Sequence, residues 1–121
     1  MKNTISIGAT FAALAVIIGA FGAHSLKQSL SAYEMGVFTT GSTYHFYHAL
    51  ALIAYGLYEK DHKVSSWPAW SFVIGILIFS GSLYSIAIFH MPKLGMLTPV
   101  GGLAFIVGWI GFAISARKTH S

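Results

Sequence analysis

The chain has 121 residues, 55% of them hydrophobic and only 8% charged, whereas soluble domains carry about 25% charged residues. That excludes a water-soluble globule, because so small a body cannot hide that much apolar surface. The formal net charge of +4 comes without a basic run or a basic–aromatic stripe, which argues against nucleic acid, and the lack of cysteine excludes disulfides, thiolate catalysis and Cys-type zinc sites.

The charges fall in narrow bands, leaving uncharged stretches at 3–26, 35–58, 64–92 and 94–116. Each exceeds the roughly 18–20 residues a helix needs to cross a hydrocarbon core. Lipid cannot satisfy backbone amides, so each stretch is expected to be helical. The expected fold is an all-α membrane protein of one domain, residues 1–121, with four transmembrane helices at about 5–23, 41–58, 68–89 and 99–116.

The first span begins after Lys2 and resembles a secretory signal, with small residues Gly19 to Ala23 at its end. Its apolar run is longer than a signal core, so a retained helix is expected. Gly8, Ala12, Ala15, Gly19 and Ala23 recur mostly four apart along it, which lets a neighbouring helix approach closely. Residues 25–40 then place Leu26, Leu30, Tyr33 and Val37 on one side and Lys27, Gln28, Ser31 and Glu34 on the other. That pattern predicts a short amphipathic interfacial helix between the first two spans.

The second span ends before the hydrated turn Glu59-Lys60-Asp61-His62-Lys63. Trp67 and Trp70 mark the interface where the third span enters, with Pro68 suited to its first turn. The third ends at His90-Met91-Pro92-Lys93, and the fourth carries small residues at Ala104, Gly108, Gly111 and Ser115. With four spans, Lys2, Lys60, Lys63, Arg117 and Lys118 share one face and Lys27 and Lys93 the other. The positive-inside rule then places both termini in the cytoplasm.

Four of the six histidines gather in the outer half: His24, His45, His48 and His90. His45 and His48 lie three apart, on one helical face with Tyr44 and Tyr55; Phe46, Leu50, Ile53 and Leu57 take the opposite face. A polar face on a spanning helix should turn into the bundle. Imidazoles from several helix ends would suit a metal or haem, with His24, His48 and His90 as the ligand set. No spacing matches a ligand motif such as His-Glu-x-x-His. The expectation is therefore no metal and no cofactor, with these histidines bonding to backbone carbonyls and to Tyr44, Tyr47 or Tyr84. No nucleophile elbow, phosphate loop or carboxylate pair is present, so no enzyme is expected. Ser80, Ser82 and Ser85 suit helix–helix bonding instead. All three acids lie outside the spans, which disfavours a proton-coupled transporter.

Gly19-Ala20-Phe21-Gly22-Ala23-His24 and the run Tyr44 through Leu52 resemble the signature of the membrane family catalogued as domain of unknown function 423. Ser80-Gly81-Ser82-Leu83-Tyr84 and Thr98-Pro99-Val100-Gly101-Gly102 through Gly108-Trp109 are similar to its later blocks. Ser25 stands where the pattern has glycine. The resemblance implies a bacterial inner-membrane protein with four helices, akin to the eukaryotic transmembrane protein 256 group, and supplies no mechanism. It singles out His24, Tyr44, Tyr47, His48, Ser82, Tyr84, Pro99, Gly101 and Gly102. The expected function is a non-enzymatic membrane protein that supports membrane integrity or homeostasis, or serves as an accessory subunit. Its partners would be membrane lipids, a second copy of the chain or other membrane proteins. The alternative is a ligand-binding or transport protein using the outer His/Tyr layer for a metal, haem or small hydrophobic molecule.

Overall fold

The structure is a computed structural model that describes residues 1–120, with side chains through Thr119; Ser121, the last residue of the expected domain, lies outside the described residues. Four long helices follow one another: α1 (Thr4–Leu26), α2 (Ala32–Asp61), α3 (Trp67–Phe89) and α4 (Thr98–His120), with a short 3₁₀ turn at Pro92–Met96 before α4. No strand occurs among the described residues.

Their ends follow from local chemistry. Ser31 caps α2 through a reciprocal pair: its hydroxyl accepts the Glu34 amide at 3.1 Å, and its own amide donates to the Glu34 carboxylate at 2.9 Å. Pro68 occupies the first turn of α3, where its missing N–H costs nothing. His90 closes α3 in the left-handed conformation (φ 53°, ψ 50°), and Pro92 keeps Met91 before it out of the α region.

The expected interfacial helix over residues 25–40 does not exist as a separate element. Residues 23–26 finish α1, a turn covers 27–30, and the rest joins α2, a single helix of 30 residues. The Ser31–Glu34 cap starts that helix ten residues before Gly41, and nothing between Ala32 and Gly41 breaks it. The polar stripe is therefore the first turns of α2. A second correction concerns the spans. α1, α3 and the segment Pro92–Thr119 are long and apolar enough to cross a membrane, whereas α2 is long enough but less apolar. Its histidines and tyrosines, of which His45, His48 and Tyr55 are buried against neighbouring helices, lower its hydropathy.

The helices pack in chain order, α1 on α2, α2 on α3, α3 on α4. Leu52 and Tyr55 of α2, Phe72 and Ile76 of α3 and Phe105 of α4 form the core. Half of α3's most apolar stretch is buried, but only 11% of α1's. Both α1 and α3 contain a wider π turn, at Ile17–Gly22 and at Ile76–Ser80.

Small residues set the close approaches. A Cβ on Gly8 would meet Ile53, and one on Gly19 would meet the Ser42 hydroxyl. Across the other seam, Gly101 lies directly against the Phe79 backbone in the π turn of α3, Gly108 against the Phe72 ring, and Gly111 against Trp67. Gly102 is different: a Cβ there would find Phe79 only at ordinary contact distance, 3.8 Å. Phe46, Leu50 and Leu57 are exposed on the outward face of α2.

Candidate functional site

The polar residues of α2 sit where helical spacing puts them, and His45 and His48 are buried at 4% and 5% exposure. Three positions apart, they face different neighbours. His48 Nδ1 donates to the Tyr44 carbonyl at 2.7 Å, one helical turn back. Its Nε2 accepts the Trp109 indole N–H of α4 at 3.0 Å. Together these fix the neutral tautomer with the proton on Nδ1, leaving neither nitrogen for another partner. The ring also stacks on Phe105, centroids 3.5 Å apart and planes 11° apart.

His45 turns toward α1 and α3. Its Nδ1 meets the Tyr84 hydroxyl at 2.8 Å, and the Phe11 ring stands edge-on at 6.0 Å. Its Nε2 finds no hydrogen-bond partner among the described residues. Serines tie the same layer together: Ser80 Oγ donates to the Gly41 carbonyl at 2.7 Å, and Ser82 Oγ pairs with Thr98 Oγ1 at 2.7 Å.

The remaining sequence-selected residues lie apart from this layer. His24 is exposed at the end of α1, and Tyr47 is exposed on α2. His90, also exposed, bonds through Nδ1 to Glu34 Oε2 at 2.6 Å, linking the end of α3 to the start of α2. The Ser31 backbone amide, and then His90, hold the Glu34 carboxyl below its ordinary range. His24, His48 and His90 thus point to separate surroundings, and no group of three potential ligands gathers among the described residues.

Beside His48 a groove of about 520 Å³ opens between α2, α3 and α4, walled by Tyr44, Phe79, Phe105 and Trp109 and running along α4 from Pro99 and Gly102. Tyr44 contacts the Phe79 ring at 4.9 Å, and its hydroxyl has no hydrogen bond among the described residues. The sequence reading missed Trp109 and Phe105 as partners of His48. Their positions at Phe105 and Trp109, four apart on one helical face, were visible; which helix they would meet was not.

At the opposite end of the bundle, the Met1 amine pairs with the Glu59 carboxylate at 3.0 Å and with Ser66, and Thr4 also donates to Glu59. The buried Tyr55 hydroxyl donates to the Ser65 carbonyl and meets Ser115 Oγ at 3.2 Å. These contacts join the α2 end to α1, α3 and α4.

Apolar helices, interhelical Ser, His and Tyr bonds and glycine-mediated packing define a multi-pass helical membrane protein. The model of the family described as "Protein of unknown function (DUF423)" matches residues 18–102, more than half of the chain, and the chain belongs to that family. It is 42% identical to UPF0382 membrane protein SSP2132 of Staphylococcus saprophyticus, with 98% of this chain and 99% of the relative covered. It is likewise 42% identical to UPF0382 membrane protein YwdK of Bacillus subtilis over 98% of each. UPF0382 inner membrane protein YgdD of Escherichia coli is 39% identical, over 85% of this chain and 80% of the relative. No solved structure matches. The chain is a multi-pass protein of the bacterial inner, or plasma, membrane.

Proposed function

We propose that this chain is a non-catalytic four-span bundle, without a cofactor, that supports membrane integrity and homeostasis or serves as a small accessory subunit of other membrane proteins. The observation that carries this reading is His48. It is the histidine that lines the groove between α2, α3 and α4, and both its nitrogens are committed to Tyr44 and Trp109, while His45, with an unbonded Nε2, does not line that groove. A general base needs a free nitrogen within reach of a proton. α2 counts as the fourth span because its 30 residues reach about 45 Å and it lies between α1 and α3. Both termini then lie in the cytoplasm, on the side with five of the seven cations.

Deletion should alter permeability, membrane potential or stress tolerance, or photocrosslinkers on the exposed faces at Phe21 and Ile110 should trap a membrane-protein partner. Unchanged physiology together with no trapped partner overturns the reading. For topology, a Ser29→Cys variant should react with an impermeant thiol reagent from outside, and a Thr119→Cys variant only after permeabilisation. The reverse pattern overturns the orientation.

A second reading, a site for a small hydrophobic molecule, is favoured by the groove beside His48.

A further inference from the structure

The groove beside His48 has a shape and a polarity that together select an occupant. It follows α4 from Pro99 to Trp109, ten residue steps or about 15 Å along a helix that crosses the bilayer. Its rim residues Leu103 and Ile106 are exposed, so one long side opens toward lipid. Gly102 contributes no side chain, leaving the floor open.

The deep end offers no hydrogen bond to a guest. The Trp109 N–H is spent on His48 Nε2, and His48 Nδ1 on the Tyr44 carbonyl. The one uncommitted polar group in the wall is the Tyr44 hydroxyl, on a side chain 42% exposed. Helical side chains lean toward their own N-terminus, so this phenol leans toward the start of α2, the same membrane face as the start of α4. A guest therefore needs one hydrogen-bond acceptor near that face and only hydrocarbon below it. A ring bearing polar groups on opposite edges would strand one of them in the dry end.

We infer that the groove holds one acyl chain of a glycerophospholipid from the outer leaflet, its ester carbonyl accepting from the Tyr44 hydroxyl and its tail lying along Gly102 to Trp109. The inference rests on the second functional reading and names its ligand.

The test uses Trp109 as reporter. In a Trp67→Phe, Trp70→Phe background Trp109 is the remaining tryptophan of three. Detergent-purified protein is titrated with phosphatidylglycerol brominated on its acyl chains. The expected result is quenching that saturates near one lipid per chain, is abolished by Gly102→Leu, and needs about threefold more lipid in Tyr44→Phe, the loss of one modest intramembrane hydrogen bond. Native mass spectrometry of the unaltered chain should show one retained phospholipid, so an unstable reporter variant does not decide the matter. If Gly102→Leu fails to fold, Ile106→Phe at the rim replaces it. Quenching that only tracks bulk lipid, unmoved by either groove variant, overturns the inference, and overturns the second reading too if no other molecule accompanies the protein. A co-purified isoprenoid that brominated lipid cannot displace overturns the phospholipid assignment while leaving the second reading standing.

Discussion

The α1–α2 and α3–α4 seams are both built on glycines, yet they close differently. On the α1 side Gly19 faces the Ser42 hydroxyl and Gly22 the Phe38 ring, while Gly8 and Gly56 face an isoleucine side chain first and its backbone N close behind, at 3.0 Å from a Cβ. On the α4 side the facing atoms are aromatic rings and, at Gly101, the backbone of a π turn. A hydroxyl can rotate and an isoleucine can change rotamer, but a backbone amide inside a helix cannot yield. The α1 seam therefore yields at Gly19, while the α3–α4 contact at Gly101, tightest against backbone, fixes the register of that pair. The site residues follow that division. His48, on the rigid side, has both nitrogens bonded; His45, toward α1, has one.

The largest expected effect is Gly101→Ala, whose methyl would enter the Phe79 backbone. We expect a loss of about 3 kcal/mol or more, at the upper end for overpacking, read as a lowered thermal or SDS-unfolding midpoint in detergent. A native-like midpoint would remove the claim that this seam is rigid.

Next come the two histidines. His48→Phe should cost about 1–2 kcal/mol, since it removes two hydrogen bonds and leaves the Trp109 N–H without its acceptor. His45→Phe should cost less than 1 kcal/mol, because it removes one such bond and also an unsatisfied nitrogen. Equal losses in the same unfolding assay would erase the contrast between the two sides.

Gly19→Ala should cost about 1 kcal/mol, because the group that blocks it is the Ser42 hydroxyl, which can turn aside at the expense of its bond to Tyr84. A loss matching that of Gly101→Ala would make the α1 seam equally unyielding.

The smallest effect is local and set by acid. Glu34's carboxyl is held below its ordinary value, first by the Ser31 amide and then by His90. A depressed folded-state value means its contribution is present above the unfolded value, about 4.3 for glutamate, and is lost as pH falls through the folded one. Amide exchange at residues 32–36, corrected for intrinsic rates, should therefore speed up on acidification below about pH 4, and Glu34→Gln should flatten that dependence. Unchanged protection would mean that Ser31 alone holds the cap.

Much of the helical layout was legible because lipid imposes it: uncharged stretches bounded by charges leave the backbone little choice. The boundary of α2 was also written in the chain, as Ser31-x-x-Glu34, a capping box that opens a helix. The amphipathic stripe at Leu26, Leu30 and Val37 concealed it, since a stripe records which face is wet and says nothing about where one helix stops. The outward face of Phe46, Leu50 and Leu57 could be read from spacing alone, but Ile53, expected with them, turns instead against Gly8 of α1. The partners of the histidines could not. That His48 meets Trp109, or His90 meets Glu34 across 56 positions, depends on interhelical rotation. A single sequence does not encode that in any local pattern.

The two π turns carry a consequence for chain length. A π turn is what remains when one residue is inserted into an α-helix and its neighbours keep their places. Deleting a residue there would restore α geometry with the flanking segments still in place, whereas a deletion from regular helix would swing the following segment by about 100° and shift it by about 1.5 Å along the axis. In α1 the turn at Ile17–Gly22 contains no buried residue, and only the end of α1 and a short turn follow before α2. In α3 the turn at Ile76–Ser80 buries Ile76 and Ser80, and the rest of α3 with its Tyr84 anchor follows. The chain can therefore shorten by one residue at either joint and keep its helix phase, but at the second the deletion also disturbs the buried Ile76 and Ser80, whose hydroxyl holds the Gly41 carbonyl.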